Sequence, residues 1–331
     1  MCKLFKTFIA LSTGIVLSMA LPAAGQQAIR FGTSSVGSSI YVLAVGASEV
    51  IQKHAGINIT VEAVGGSGAN VRGLAAGNIE FALANSFAAV NGYKGIVNFK
   101  KPVDIQLVAQ GHPSLRWLFL RKSAAIKRVE DLAGRTVVAK RPALPDVHMI
   151  MGVMLKQFKV NPSSVNQVAT TQTGAALKAL AAGSVDAALL PFGRGAANIQ
   201  KPMKDGIIDF LYLPAAQRDE MLKQLPSVMW GQTLPKGTFM NQSEDVNVIA
   251  MNTYLLTRPG VSEETVYKVV KAVLENTKEL MSYQRLGRHY NLDNTLKHVS
   301  LPFHPGAIRY FKEKGVWTST LEANQQALMK R

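Results

Sequence analysis

The most glycine-rich segment of this 331-residue chain, GGSGAN at residues 65–70, has the composition of an anion-binding loop. A dinucleotide fingerprint needs a glycine three positions after Gly68, where the chain has Val71. A P-loop needs Gly-Lys-Ser/Thr, whereas Gly73 precedes Leu74. The segment is therefore not a nucleotide loop. Its backbone N–H groups could bind a carboxylate at a helix N-terminus, or it could be a turn whose serine only caps its own helix.

Small, polar and cationic residues recur where the predicted strands end. In α/β sheets ligands bind at the carboxyl ends of the strands, so these residues are expected to meet in one cleft. Arg141 and Arg194 are the candidate anion partners, because a guanidinium pairs bidentately with a carboxylate, although each could be a surface charge. Tyr41 is expected either to line the cleft or to lie half-buried in the core. The candidate ligand-binding residues are Ser34, Ser35, Ser38, Ser39, Tyr41, Gly66, Ser67, Asn70, Asn85, Ser86, Arg141, Thr173, Phe192 and Arg194.

Patterns for catalysis and for metal binding are weak. The six histidines show no HExxH or similar spacing, and the sequence has no Gly-x-Ser-x-Gly elbow. Asp146 and His148 are two positions apart, which on a helix points them to different faces, and Asp146 is interpreted as a helix cap. The sequence therefore predicts no catalytic residue, no metal and no cofactor, and we do not expect an enzyme.

Strands and helices alternate along the part of the chain that must position these residues. Short apolar runs predict strands at 29–33, 57–64, 80–84, 105–109, 117–121, 136–139, 165–170, 185–191 and 207–213. Helical patterns fall at about 38–54, 68–76, 146–159 and 174–182. This alternation predicts an α/β fold with mostly parallel sheets. Residues 111–114 and about 243–256 are candidate crossings between two lobes.

One structural unit occurs twice in the sequence. Residues 67–83 align with residues 173–189, with eight of the seventeen positions identical. In both copies a Ser or Thr is predicted to cap a short helix, which then ends at Gly77 or Gly183 in a left-handed turn. Chance could produce two such ordinary units, but the match favours two similar lobes.

The N-terminus resembles a secretory signal peptide. Lys3 and Lys6 precede an apolar stretch that is too short to span a bilayer, and cleavage is predicted after Gly25. A retained anchor is the alternative. Cleavage would remove the only cysteine, Cys2, and would lower the formal net charge from +16 to +14, because two lysines and no acids are lost. The scattered basic residues do not favour nucleic acid, which leaves an anionic ligand or a generally basic surface.

Several segments, in this order, resemble the TAXI family of TRAP transporter solute receptors. They are FGTSSVGSSIYVLAVGASEVI, EAVGGSGANVRGLAAGNIEFALANS, VEDLAGRTVVAKR, GSVDAALLPFG and LPFHPGAIRYFKEKG. The resemblance implies a two-lobed periplasmic binding protein-like type II fold with a hinge between the lobes. It also implies that the lobes close over a small carboxylate-bearing solute. The loaded receptor would dock on a permease driven by an ion gradient.

The segment from Arg141 to His148 departs from the family pattern. Members usually have a Gly-Ser-Gly-Thr helix start here, whereas this chain has RPALPDVH. Arg141 could replace that anion nest, or the ligand could be bulkier and less charged. We assign residues 1–25 to the signal peptide, 26–113 and 249–331 to lobe 1, and 114–248 to lobe 2.

The predicted function is that of a periplasmic receptor for an amino acid or an organic acid. It would deliver this small anionic solute to the membrane subunits of a TRAP-type permease. A ligand sensor for a membrane signalling partner is the alternative, and an exported enzyme on the same scaffold is a weaker one.

Overall fold

The computed structural model describes residues 29–193 and 196–330. The predicted signal peptide and Arg194 lie outside the described residues. No helix in the described part of the chain is long and apolar enough to cross a membrane.

The strands of the described chain are β1 (Ile29–Gly32), β2 (Ile59–Glu62), β3 (Phe81–Asn85), β4 (Gln106–Arg121), β5 (Thr136–Lys140), β6 (Asn166–Ala169), β7 (Ala187–Phe192), β8 (Ile208–Phe210), β9 (Met229–Leu234) and β10 (Val246–Thr257). The helices are α1 (Ser39–Ala55), α2 (Ser67–Ala75), α3 (Ser86–Lys94), α4 (Pro145–Gln157), α5 (Thr173–Ala181), α6 (Ala197–Lys204), α7 (Ala215–Leu222), α8 (Glu263–Glu275), α9 (Thr277–Tyr283), α10 (Leu292–Thr295), α11 (Pro305–Glu313) and α12 (Ser319–Met329). Four short 3-10 helices lie at Lys122–Ala124, Val129–Leu132, Pro162–Ser164 and Arg285–His289.

In the described part of the chain one curled sheet has the strand order β2-β1-β3-β10-β4-β7-β5-β6, with β8 on β4 and β9 on β10. Pairing is parallel within β2-β1-β3 and within β7-β5-β6. Between the named strands it is antiparallel wherever β4 or β10 takes part. The expected α/β fold is confirmed, and antiparallel pairing is confined to the two long central strands.

The repeat in the sequence corresponds to a repeat in the structure. The run β1-α1-β2-α2-β3 has the same order of elements and the same strand order as β5-α4-β6-α5-β7. Both predicted left-handed glycines are confirmed, with φ of 70° at Gly77 and 82° at Gly183. The predicted caps are wrong, however, since Gly66 and Gln172 occupy the N-cap positions of α2 and α5.

Two strands cross from one half of the molecule to the other. The strands predicted at 105–109 and 117–121 are one strand, β4, because the predicted crossing at 111–114 is itself extended and pairs with β10. Strand β10 pairs with β9 up to Met251 and with β3 from Thr253 onwards. A bulge between Asn252 and Tyr254 marks this change of neighbour.

The buried side chains form separate cores on either side of these crossing strands. One core draws its residues from 31–109 and 254–311. Two further cores, on opposite faces of the sheet, draw theirs from 87–251. We use lobe 1 and lobe 2 for the two halves, with the boundaries predicted above, which stay a prediction.

Candidate functional site

A cavity of about 690 Å³ lies between the lobes, at the carboxyl ends of the parallel strands. Lobe 1 contributes the loop after β1, the start of α2 and the end of β3. Lobe 2 contributes the loop after β5, the start of α5 and the end of β7, and the middle of β4 forms part of the wall. The cavity therefore lies at the edge of the sheet where ligands bind in α/β folds, which is where the sequence predicted a cleft.

The structure brings most of the predicted site residues to this cavity. Its walls include Ser34, Ser35, Ser38, Ser39, Gly66, Ser67, Asn70, Asn85, Arg141, Thr173 and Phe192. Tyr41 and Ser86 are not part of the wall. The backbone N–H of Tyr41 instead donates to Ser38 Oγ over 3.2 Å, and the hydroxyl of Ser86, a buried residue, faces the carbonyl of Val228. Arg194 is outside the described residues.

The loop after β1 presents hydroxyl groups to the cavity. Ser38 is the N-cap of α1, so its hydroxyl oxygen is already engaged with the helix. The hydroxyl groups of Ser34, Ser35 and Ser39 form no hydrogen bond with any described residue. Gly37 turns the loop at φ 77°, a conformation that favours glycine. Three hydroxyl groups are therefore available to a ligand on the lobe 1 side.

The GGSGAN segment meets lobe 2 directly. Gly68 N–H at the start of α2 donates to the carbonyl of Ala143 over 3.0 Å. A Cβ on Gly66 would lie 3.0 Å from the Ala143 Cβ, and Gly66 has a φ of 156°. Ser67 is the first helical residue, and its hydroxyl accepts from the Asn85 N–H over 2.9 Å instead of capping α2. The glycines thus let the backbone of one lobe approach the helix N-terminus of the other.

Arg141 also bridges the lobes. Its Nη2 donates to the carbonyl of Gly65 over 2.9 Å, and its Nη1 donates to Thr173 Oγ1. Thr173 is therefore the partner of an arginine and not the cap of α5. Burial, together with the positive charge of Arg116, lowers the pKa of Arg141 to about 10, so the side chain stays charged at neutral pH.

A buried ion pair joins the cavity wall to the start of α4. Arg116 Nε on β4 donates to Asp146 Oδ2 at the start of α4, and neither side chain is exposed. Asn85 Nδ2 donates to Asp146 Oδ1 over 3.2 Å, and Asn85 Oδ1 accepts from Ala88 N–H as the N-cap of α3. The interpretation of Asp146 as a helix cap is wrong. Its carboxylate is held by groups on neighbouring elements that sequence spacing could not reveal.

The cavity wall is electrostatically positive. Its charged members are Arg116, Arg141 and Lys178, and no Asp or Glu is among the described residues that line it. His112 on β4 also lines the cavity, but burial, together with the nearby His289, lowers its pKa to about 3. The imidazole is therefore neutral at physiological pH. An anion is the ligand that this charge distribution favours.

Sequence reasoning missed Arg116, His112 and Lys178 as parts of the wall. His112 lies in the predicted crossing at 111–114, which was a usable signal for it because residues at a crossing face both lobes, whereas Arg116 lies two residues beyond that segment. Lys178 lies one turn into α5, and nothing in its spacing singles it out. Among the described residues, no group of His, Cys, Asp and Glu side chains could hold a metal ion.

The fold matches that of solved periplasmic solute-binding proteins. The periplasmic binding protein BugD superposes with a TM-score of 0.54 at 12% identity, over 87% of this chain and 93% of BugD. MatC of Rhodopseudomonas palustris, solved with bound malate, gives 0.52 at 14% identity, over 87% and 96%. An R. palustris protein solved with adipate also gives 0.52 at 14%, over 78% and 87%. The chain itself belongs to the NMT1-like family, whose model matches residues 31–315.

Proposed function

We propose that this protein is an extracytoplasmic receptor that captures a small carboxylate-bearing solute between its lobes. The observation that carries the proposal is the cleft itself. It is lined by three cationic side chains without an acid among its described residues, and it lies between two lobes joined by two crossing strands. We expect such a site to bind an anion, and we expect the two lobes to open and close about the crossing strands. Related folds solved with malate and with adipate support this solute class by analogy.

Closure of the lobes is the mechanism by which the ligand would be held. Three hydrogen bonds already cross the cleft: Gly68 to Ala143, Arg141 to Gly65, and Asn85 to Asp146. A ligand in contact with both lobes adds interactions that exist only in the closed form. It therefore shifts the population toward that form by its difference in affinity for the two states.

The closed, loaded receptor would deliver its solute to a membrane permease. The resemblance to TAXI receptors supports a TRAP-type permease driven by an ion gradient. The expected signal peptide, with cleavage after Gly25, would place the protein in the periplasm. No catalytic step belongs to this proposal. Uptake of the solute by intact cells should stop when the ion gradient is collapsed and should continue when ATP is depleted. The reverse result would contradict the TRAP assignment.

Binding is tested on the chain without residues 1–25. Thermal shift and titration calorimetry are run against monocarboxylates, dicarboxylates, amino acids and aromatic acids, because a ligand that binds only the folded state raises the melting temperature. Arg141→Ala should weaken binding of the acid by more than tenfold, since it removes a charge-assisted contact. Lys178→Ala should weaken it by only a few fold, because its exposed charge is screened.

Lys156→Ala is the matched control. Lys156 is an exposed lysine on α4 that does not line the cleft, so its removal lowers the net charge by the same amount without touching the site. If Lys156→Ala and Arg141→Ala weaken binding equally, the cleft is not the anion site. Binding of neutral solutes in preference to every acid would reject the proposed solute class.

A further inference from the structure

Three ionic side chains lie together at the wall of the cleft: Arg116, Asp146 and Arg141. Two are positive and one is negative, so the cluster carries a net charge of +1. The side chains of Arg116 and Asp146 are not exposed at all, and Arg141 is 3% exposed. A buried charge without a counter-charge is costly. Which arginine pairs with Asp146 therefore decides which positive charge a ligand could neutralise.

Both carboxylate oxygens of Asp146 accept hydrogen bonds from groups other than Arg141. One oxygen accepts from Arg116 Nε and the other from Asn85 Nδ2. Arg141, by contrast, has only neutral partners, the hydroxyl of Thr173 and the carbonyl of Gly65. Its Nε has no partner among the described residues, and it forms no ion pair with any of them. Asp146 attracts Arg141 only through space, and this buried guanidinium has no ion-pair partner among the described residues.

A second ionic group on the ligand would find little to stabilise it. An ammonium group would meet no carboxylate among the described lining residues. A second carboxylate would find Arg116 already neutralised, and Lys178 is exposed, so that water screens its charge. His112 is neutral because it is buried. The described residues of the cleft therefore compensate one negative charge inside it and no positive charge.

The remaining wall contains a substantial apolar share. Ile40 and Leu83 contribute it from lobe 1, Leu144 and Phe192 from lobe 2, and Leu286 from the segment after α9. The indole Nε1 of Trp117 donates to the carbonyl of Phe192 over 2.8 Å, which fixes the backbone at that residue. Apolar walls stabilise a ligand body that carries no charge.

We propose that the cleft selects a monocarboxylate with a neutral, largely apolar body, and that it discriminates against dicarboxylates and α-amino acids. The proposal rests on the receptor function above and narrows its solute class. Arg141 would supply the counter-charge, and the pair Arg116–Asp146 would act as a specificity element, since Asp146 neutralises the cation that could otherwise hold a second carboxylate.

Two sets of matched ligands test this selection by titration calorimetry. Hexanoate is compared with adipate, which adds a carboxylate at the far end, and with norleucine, which adds an ammonium group. Phenylpropanoate is compared in the same way with benzylmalonate and phenylalanine. In the set that binds, the monocarboxylate should bind at least tenfold more tightly than both of its partners.

The possible outcomes separate this inference from the receptor function. Tighter binding of a diacid or an amino acid than of its monocarboxylate would overturn the inference and leave an acid receptor standing. If none of these acids binds and a neutral solute does, both proposals are wrong.

A charge substitution gives a second test. Asp146→Asn removes the counter-charge of Arg116, which can then bind a second carboxylate. The ratio of monocarboxylate to dicarboxylate affinity should therefore fall by tenfold or more. Asp205→Asn, at an exposed position outside the cleft, should leave the ratio unchanged. An unchanged ratio in a folded Asp146→Asn variant would overturn the inference.

Because Asp146→Asn strands a buried charge and can fail to fold, the pair is also removed together. The double variant Arg116→Met, Asp146→Asn keeps the net charge of +1 and should keep the preference for the monocarboxylate. Loss of that preference would show that the pair does not act through charge, and would overturn its role as a specificity element.

Discussion

Replacing Asn85 by aspartate tests whether the lobes meet as the structure shows. Asn85 caps α3 through Oδ1 and donates to Asp146 through Nδ2 over 3.2 Å. Asn85→Asp keeps a good N-cap but replaces the donor by a carboxylate facing another carboxylate. At that distance and an effective dielectric constant of about 20, the repulsion is about 5 kcal/mol. The introduced carboxyl can avoid this repulsion by taking up a proton. At pH 7 that costs about 4 kcal/mol, since a free aspartate has a pKa of about 3.9.

The loss of stability in Asn85→Asp should increase as the pH rises. Protonation lets the introduced carboxyl donate to Asp146, so its pKa in the folded protein is raised above the unfolded value. The loss of stability is therefore small near pH 4 and grows by about 1.4 kcal/mol per pH unit above that. Urea unfolding followed by tryptophan fluorescence should give a deficit relative to wild type of about 4 kcal/mol at pH 7 and about 1.5 kcal/mol at pH 5.

The control is Asn85→Ser, which also caps a helix but introduces no charge, so its deficit should not change with pH. The chain can also avoid the repulsion by separating its lobes. In that case the radius of gyration of Asn85→Asp should rise at pH 7 and return to the wild-type value at pH 5. If neither stability nor radius depends on pH, residues 85 and 146 do not meet in solution and the cross-cleft contact is refuted.

Two further predictions concern the crossing strand β4. Burial lowers the pKa of His112 to about 3. Between about pH 6.5 and pH 3 the unfolded chain therefore binds a proton at this histidine while the folded protein does not. The free energy of unfolding decreases as the pH is lowered through this range. In urea unfolding, wild type should lose about 2 kcal/mol more of its free energy of unfolding between pH 7 and pH 5 than His112→Gln does. Equal losses in both proteins would contradict a buried neutral imidazole. A Cβ on Gly111 would lie 2.2 Å from the Tyr290 ring, so Gly111→Ala should lower the free energy of unfolding by about 1–3 kcal/mol. Gly152→Ala, in open space on α4, should instead raise the melting temperature, and similar behaviour of the two variants would refute the close approach.

Much of the fold could be predicted because its signals are local. Apolar runs and helical periodicity predicted most of the strands and the helices α1, α2, α4 and α5. Helix α3 was missed because its residues are nearly all buried, which leaves no polar face to give a periodic pattern. The division of β4 into two strands came from taking residues 111–114 as a crossing that separates two strands. Pairing with β10 keeps these residues extended, which local propensity cannot show.

The sequence predicted that the strand ends meet in one cleft, but it did not predict the contacts made there. Residues at strand ends converge because parallel strands share a direction, and that rule needs no coordinates. The roles assigned to single residues failed where partners come from distant parts of the chain. Ser67 accepts from Asn85, and Arg141 reaches across to Gly65. The spacing between such partners along the chain carries no information about their distance in space.

The sequence by itself determined the α/β alternation, the two similar units and the glycine turns that end α2 and α5, because each depends on neighbouring residues. Only the tertiary structure decided which charges remain uncompensated. Arg116, Asp146 and Arg141 all read as ordinary ionic residues in the sequence. Folding buries them together and pairs only two of them, because β4 and α4 approach each other at the wall of the cleft. Which buried charges remain unpaired is therefore a property of packing and not of composition.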